Sequence, residues 1–137
     1  MEGLKYDATR VKDVIKLSSF KVFPERYVYC CVTAVQPGIN HLIVIDDGEE
    51  ITIVTREQNL PLIGAHAANK DRWRLINIKC GNPFYCVGFI AGITGALAKE
   101  GIDVVLTSSY TKDMVMVMEG DLEKAVEVMR EEGFVEE

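Results

Sequence analysis

In residues 74–135 the spacing of apolar side chains switches repeatedly between the strand period of about two and the helical period of about 3.6. Residues 73–78 alternate as a strand, with Trp73, Leu75 and Asn77 on one side and Arg74, Ile76 and Ile78 on the other. Apolar groups on both sides predict a strand covered on both faces. Residues 88–100 place Phe89, Ile90, Ile93 and Leu97 on one helical face, and Gly101 is positioned to end the helix. Strands are expected at 102–106 and 114–118, joined by a turn at 110–113. An amphipathic helix over 121–132 carries Leu122, Ala125, Val126 and Met129 and closes at Gly133, and a short strand at 134–135 follows. The order is β-α-β-β-α-β. Such split units form a four-stranded antiparallel sheet with both helices on one face.

The helix at 88–100 is unusually thin: Ala91, Gly92, Gly95, Ala96 and Ala98 all lie within it. Each glycine inside a helix costs up to about 1 kcal/mol relative to alanine, so a close neighbour is expected as compensation.

Upstream, a short helix is expected from about Thr9, with Val11, Val14, Ile15 and Leu17 at helical spacing. Strands are predicted at 20–23 and 27–32 around Pro24, then at 41–45 and 50–55 around the hairpin signal Asp46-Asp47-Gly48. Residues 65–68 are read as a helical turn. The division expected is an extension at 1–19, a reduced module at 20–72 and a full module at 73–137.

Composition narrows the partners. Fifteen basic and 21 acidic residues give a net charge of -6, which argues against a phosphate backbone as principal partner. The acids cluster at 46–50 and 119–137, as solvated faces. Residues 1–16 are charged and lack the apolar core of a signal peptide, and the best apolar run, 87–97, stops at Lys99, so no membrane partner and a cytoplasmic location are expected. Cys30, Cys31, Cys80 and Cys86 form no CxxC pair and, with His41 and His66, supply no zinc knuckle. They read as small buried hydrophobes, and no metal or cofactor is expected.

The stretch "GNPFYCVGFIAGITGALAKEGIDVVLTSSYTKDMVMV", residues 81–117, resembles the ACT domain, in particular the tandem-ACT family of the CASTOR arginine sensors and the aspartokinase regulatory type. The matching positions are Pro83 and Phe84, Gly88, residues 97–102 "LAKEGI", and residues 108–117 "SSYTKDMVMV". Upstream, "FKVFPERYVYCCV", "EEITIVTRE" and "DRWRLINI" are similar to further motifs of that family, so the resemblance runs from Phe20 to Phe134. It implies an α+β fold of two ferredoxin-like βαββαβ modules, the first one reduced. It also implies a non-catalytic regulatory protein that binds a small molecule, most often an amino acid, where the loop before a helix meets a neighbouring module. A homodimer and a separate partner enzyme are the expected associations.

The residues expected at such a site are Asn82, Pro83, Phe84, Cys86, Val87, Gly88 and Ile90 around the helix start, with Ser108, Ser109, Tyr110 and Asp113 at the end of the adjacent strand. A helix N-terminus offers unpaired N–H groups and partial positive charge to a carboxylate, and Gly88 allows close approach. The hydroxyls and the Asp113 carboxylate can take an ammonium. Each also has a structural reading: Gly88 as a turn, the serines as strand-end partners, Tyr110 as a cover for the sheet edge, Asp113 as a turn residue. Where arginine-binding relatives carry an acid before the helix glycine, this chain has Cys86 followed by Val87. That points to a small neutral or apolar amino acid. Two alternatives stay open: a ligandless interaction module, and a cysteine enzyme using Cys86 with His41 or His66.

Overall fold

The structure is a computed structural model that describes residues 5–81 and 86–137. It opens with helix α1 (Ala8–Lys16), whose first turn is capped by the Asp7 carboxylate accepting the Thr9 N–H at 2.9 Å. Strands β1 (Ser19–Val22) and β2 (Tyr27–Val32) follow, then the hairpin β3 (Ile43–Asp46) and β4 (Ile51–Arg56). The hairpin turn is held by Asp47, which accepts the N–H groups of Glu49 and Glu50 at 2.9 and 2.8 Å. A 3-10 helix (Glu57–Leu62) leads into β5 (Ala67–Ala68) and β6 (Trp73–Lys79). Helix α2 (Phe89–Lys99), strands β7 (Val105–Ser108) and β8 (Asp113–Met118), a 3-10 turn (Glu119–Asp121), helix α3 (Leu122–Glu132) and β9 (Val135–Glu136) complete the chain.

The periodicity of 74–135 is realised, with two shifts. The strand expected at 102–106 forms at Val105–Ser108, because Gly101 and Ile102 are used to end α2: Ile102 N–H bonds the Leu97 carbonyl at 3.1 Å and Gly101 N–H bonds that of Ala98 at 3.0 Å. Residues 65–68, read as a helical turn, instead place Ala67 and Ala68 antiparallel to Cys31 and Cys30.

The sheet has two wings. One is β3-β4-β2 with β5 against the other side of β2; the second is β7-β8-β6-β1-β9. They meet at the pairing of Tyr27 with Trp73. In the second wing β1 lies antiparallel to β6, and β9 runs parallel to β1 rather than pairing with β6. The sheet is therefore mixed where a wholly antiparallel one was expected. Phe20 of β1 is fully buried, and α1 joins α2 and α3 over the same face through Val11, Val14 and Ile15. Segments 1–19 and 20–72 thus both contribute to the layers built around 73–137.

Three cores result. Ile76, Ile78, Val115 and Val117 face the helices. Trp73, Leu75, Met114 and Met116, on the opposite face of β6 and β8, pack against Tyr27 and Val54 of the other wing. Val28, Cys30, Val32 and Ile53 bury against Ile63 beyond the 3-10 helix. Strand β6 is covered on both faces, as its sequence required. The thin helix is explained only in part: a Cβ on Gly92 would stand 3.4 Å from Val11, so α1 is the close neighbour there, whereas a Cβ on Gly95 would meet nothing within 4 Å.

Among the described residues, no helix is long and apolar enough to cross a membrane. Of the cysteines, only Cys30 is buried; Cys31, Cys80 and Cys86 are partly exposed, which corrects the expectation that all four are buried.

Candidate functional site

Sheet register brings the far end of β6, the β7–β8 turn and the start of α2 together. Asp113 stands opposite both Ser108 and Ile78, so the turn and Cys80 fall at the same end of the sheet. Between them and α2 lies a cavity of about 300 Å3. Cys80, Cys86, Phe89 and Ile90 give it a wall of sulfur and hydrocarbon. Residues 108–113 give it hydroxyls, one ammonium and one carboxylate.

The polar side is ordered by its own bonds. Ser108 Oγ donates to Asp113 Oδ1 at 2.7 Å, and Ser109 N–H donates to the Lys112 carbonyl at 2.9 Å, closing the turn. Lys112 Nζ reaches Thr111 Oγ1 at 3.2 Å. Tyr110 stands out at the lip, 93% exposed. On the helix side, the Cys86 carbonyl accepts the Phe89 N–H at 3.1 Å, fixing Cys86 to the first turn of α2 and to the positive end of its dipole. The Cys80 thiol is pushed above its ordinary pKa, chiefly by burial and further by the Asp113 carboxylate and Cys86, against a hydrogen bond with Ser18 that lowers it.

Of the expected site residues, Cys86, Ile90, Ser108, Ser109, Tyr110 and Asp113 line this one cavity. Gly88 does not. It adopts φ 93°, a conformation open to glycine, and a Cβ there would stand 2.6 Å from the Tyr6 ring. It faces a larger groove, about 460 Å3, bounded by α1, α2 and α3, together with Ala91, Gly92 and Gly95. Val87 is 43% exposed and lines neither space. Asn82, Pro83 and Phe84 lie outside the described residues.

Sequence reasoning missed Cys80, Phe89, Thr111 and Lys112. Thr111 and Lys112 were within reach, since they belong to the same stretch, residues 108–117. Cys80 required the register of β6 against β8.

The groove under Tyr6 is larger and also carries both charges, from Lys12, Lys99, Glu100, Glu131 and Glu132 beside glycine, alanine, Val11, Ile15 and Val128, but its one side-chain hydroxyl is that of Tyr6. The smaller cavity is where opposite charges and hydroxyls converge on an apolar wall, the usual make-up of a small-molecule site. Neither histidine shares it: His41 Nδ1 lies 2.9 Å from Thr55 Oγ1, and His66 lines a separate surface hollow beside Asp46 and Glu50. Among the described residues no group of three metal-ligating side chains could hold an ion.

The family model of the ACT domain matches residues 69–131. That stretch contains β6, α2, β7 and β8 and nearly all of α3. The fold is that of ACT domains. Solved structures agree over a longer span than the family model. A protein of unknown function from Vibrio cholerae is 18% identical and superposes with a TM-score of 0.81 over 91% of this chain and 97% of its own. The aspartokinase alpha and beta subunits give 0.62 at 18% identity, over 83% of this chain and 96% of that chain. The ligand-free regulatory subunit of aspartate kinase from Thermus thermophilus gives 0.55 at 14% identity, over 83% and 94%. At such identities the likeness is one of ACT fold, on which many functions can sit. No curated protein sequence matches the chain.

Proposed function

We propose that this chain is a non-catalytic regulatory protein of ACT fold, and that its cavity between α2 and the β7–β8 turn takes a small amino acid with a neutral or apolar side chain. One observation carries the reading: a single cavity presents one acid, Asp113, one base, Lys112, and the start of a helix beside an apolar wall. A zwitterion has the matching pair of charges. Its carboxylate suits Lys112 and the positive end of α2, and its ammonium suits Asp113. Phe89 and Ile90 are left for an uncharged side chain. A cationic side chain would bring a second positive charge to a cavity with one acid among the described residues. It would forgo a charged hydrogen bond of about 1.5–3 kcal/mol.

The aspartate kinase regulatory subunit of like fold supports a regulatory output through a partner enzyme, and the exposed apolar residues of edge strand β3, Val44 and Ile45, support pairing with a second copy. The test is a thermal-shift screen of the reduced chain against the twenty amino acids, followed by calorimetry on any that stabilise. A ligand at 100 times its dissociation constant stabilises by about 2.7 kcal/mol. Stabilisation by a small neutral amino acid supports the reading; tighter binding of arginine overturns the selectivity, and no stabilisation by any amino acid overturns the ligand class.

A further inference from the structure

Cys80 and Cys86 form the sulfur part of the cavity wall, and each is held by a different element. Cys80 follows β6 and is fixed at the α1–β1 corner. There the adjoining Gly81 N–H donates to Ser18 Oγ at 2.8 Å, and Ser18 Oγ donates in turn to the Val14 carbonyl at 2.7 Å. Gly81 sits so close to that corner that a Cβ would lie 2.8 Å from Leu17 Cβ. Cys86 is tied to α2 through its carbonyl. The two thiols therefore stand on anchored backbone beside one opening, close enough that charge on Cys86 raises the proton affinity of Cys80. Neither is in a disulfide, and both are partly exposed to dissolved reagents.

We propose that Cys80 and Cys86 are a dithiol that closes to an intramolecular disulfide and, by joining the end of β6 to the start of α2, shuts the cavity to its ligand. The second half rests on the ligand-binding reading above; the first does not. The oxidant is a low-molecular-weight disulfide of the glutathione class. One cysteine thiolate attacks a sulfur of that disulfide, forming a mixed disulfide and expelling one small thiol. The other cysteine then attacks the protein sulfur and expels the second. The pair gives up two electrons and two protons, and one small disulfide becomes two small thiols. Reduction by excess dithiol reverses it. Cys31 is the internal control. It is partly exposed but lies on the other wing, with its Sγ 3.2 Å from Glu50 Oε2, so it has no part in this cavity.

The reduced chain is incubated with oxidised glutathione, digested with chymotrypsin without reduction, and analysed by mass spectrometry. Phe84 and Tyr85 lie between the cysteines, so cleavage there separates their peptides unless a disulfide joins them. The expected result is a joined Cys80–Cys86 pair lighter by two hydrogens, with Cys31 carrying glutathione. Separate glutathione adducts on Cys80 and Cys86, or linkage of either to a second chain, would overturn the dithiol. Ligand affinity, measured in parallel, is expected to fall at least about tenfold on oxidation and to return with dithiothreitol. The ligand affinity of the Cys80→Ser/Cys86→Ser chain should change with neither reagent, although its Cys31 still takes up glutathione. A joined pair with unchanged affinity overturns the gating alone. A joined pair in a chain whose reduced form binds no amino acid removes the ligand reading and the gating with it, and leaves the dithiol standing.

Discussion

At the scale of residues, Gly88 shows how far a sequence reading reaches. Its place before a helix marked it as conformationally special, and it does adopt a left-handed turn. What packs on it is Tyr6, more than eighty positions away, and no local pattern announces that contact. Gly88→Ala should therefore destabilise for two separable reasons. The backbone part is about 1–2 kcal/mol and persists whatever stands opposite. The larger steric part, against Tyr6, should vanish in a Tyr6→Ala background, where a Cβ still meets Val11 at 3.3 Å, and urea denaturation of the four chains of the cycle measures each. Cys80 gives a second residue-scale prediction. Its thiol is held protonated by burial and then by Asp113, so Asp113→Asn should speed its alkylation by iodoacetamide at neutral pH. An unchanged rate would mean that the carboxylate does not act on the sulfur. The polar half of the candidate site was legible because Ser108, Ser109, Tyr110 and Asp113 are contiguous in a motif. Of its two sulfurs, Cys86 was legible beside the helix start, whereas Cys80 depended on strand register and was not.

At the scale of elements, the β-α-β-β-α-β order was readable because each element buries a periodic face, and strand β6 even declared its two-sided burial. The insertion of β1 between β6 and β9 was not readable. Main-chain hydrogen bonds at a sheet edge leave no side-chain signature, and four residues of alternating pattern fit either wing. Phe20, fully buried in β1, marks the outcome. Phe20→Ala should cost about 3–5 kcal/mol by urea denaturation. A loss below 1 kcal/mol would indicate that β1 is dispensable to the core. The junction between the wings carries a charge relay as well. Glu119 meets Arg26 at 3.2 Å and Arg74 at 3.4 Å, while Glu57 meets Arg26 at 3.7 Å and Arg72 at 3.4 Å. The Arg74 side chain is 16% exposed, so Glu119→Gln leaves a mostly buried cation without its carboxylate, still bonded to the Phe23 carbonyl at 3.2 Å, and should cost about 1–3 kcal/mol. Glu57→Gln acts on partners that are more exposed, and about 0–1 kcal/mol is expected. Equal losses from the two changes would contradict this ranking.

At the scale of the whole molecule, the two wings are held together by an apolar seam in which Tyr29 meets Trp73 edge-on with ring centroids 5.9 Å apart. Burial pushes the Tyr29 phenol from its ordinary value of 10.0 up to about 12. The folded pKa lies above the unfolded one, so the stabilisation is complete below about pH 10 and is lost as pH rises through about 12. Trp73 is the chain's single tryptophan, so its fluorescence should report loosening of the seam over that range, with a smaller change in Tyr29→Phe. The same architecture sets the cavity. One wing shields the lower face of β6 and β8, three helices shield the upper face, and the opening is left at the uncovered end beside Ser109. The claim that this opening is a ligand site is tested most directly by amide-resolved NMR during titration with small neutral amino acids. Saturable shifts concentrated at residues 86–91 and 108–113 are the predicted result; shifts confined to the groove under Tyr6, or none at millimolar ligand, would contradict it.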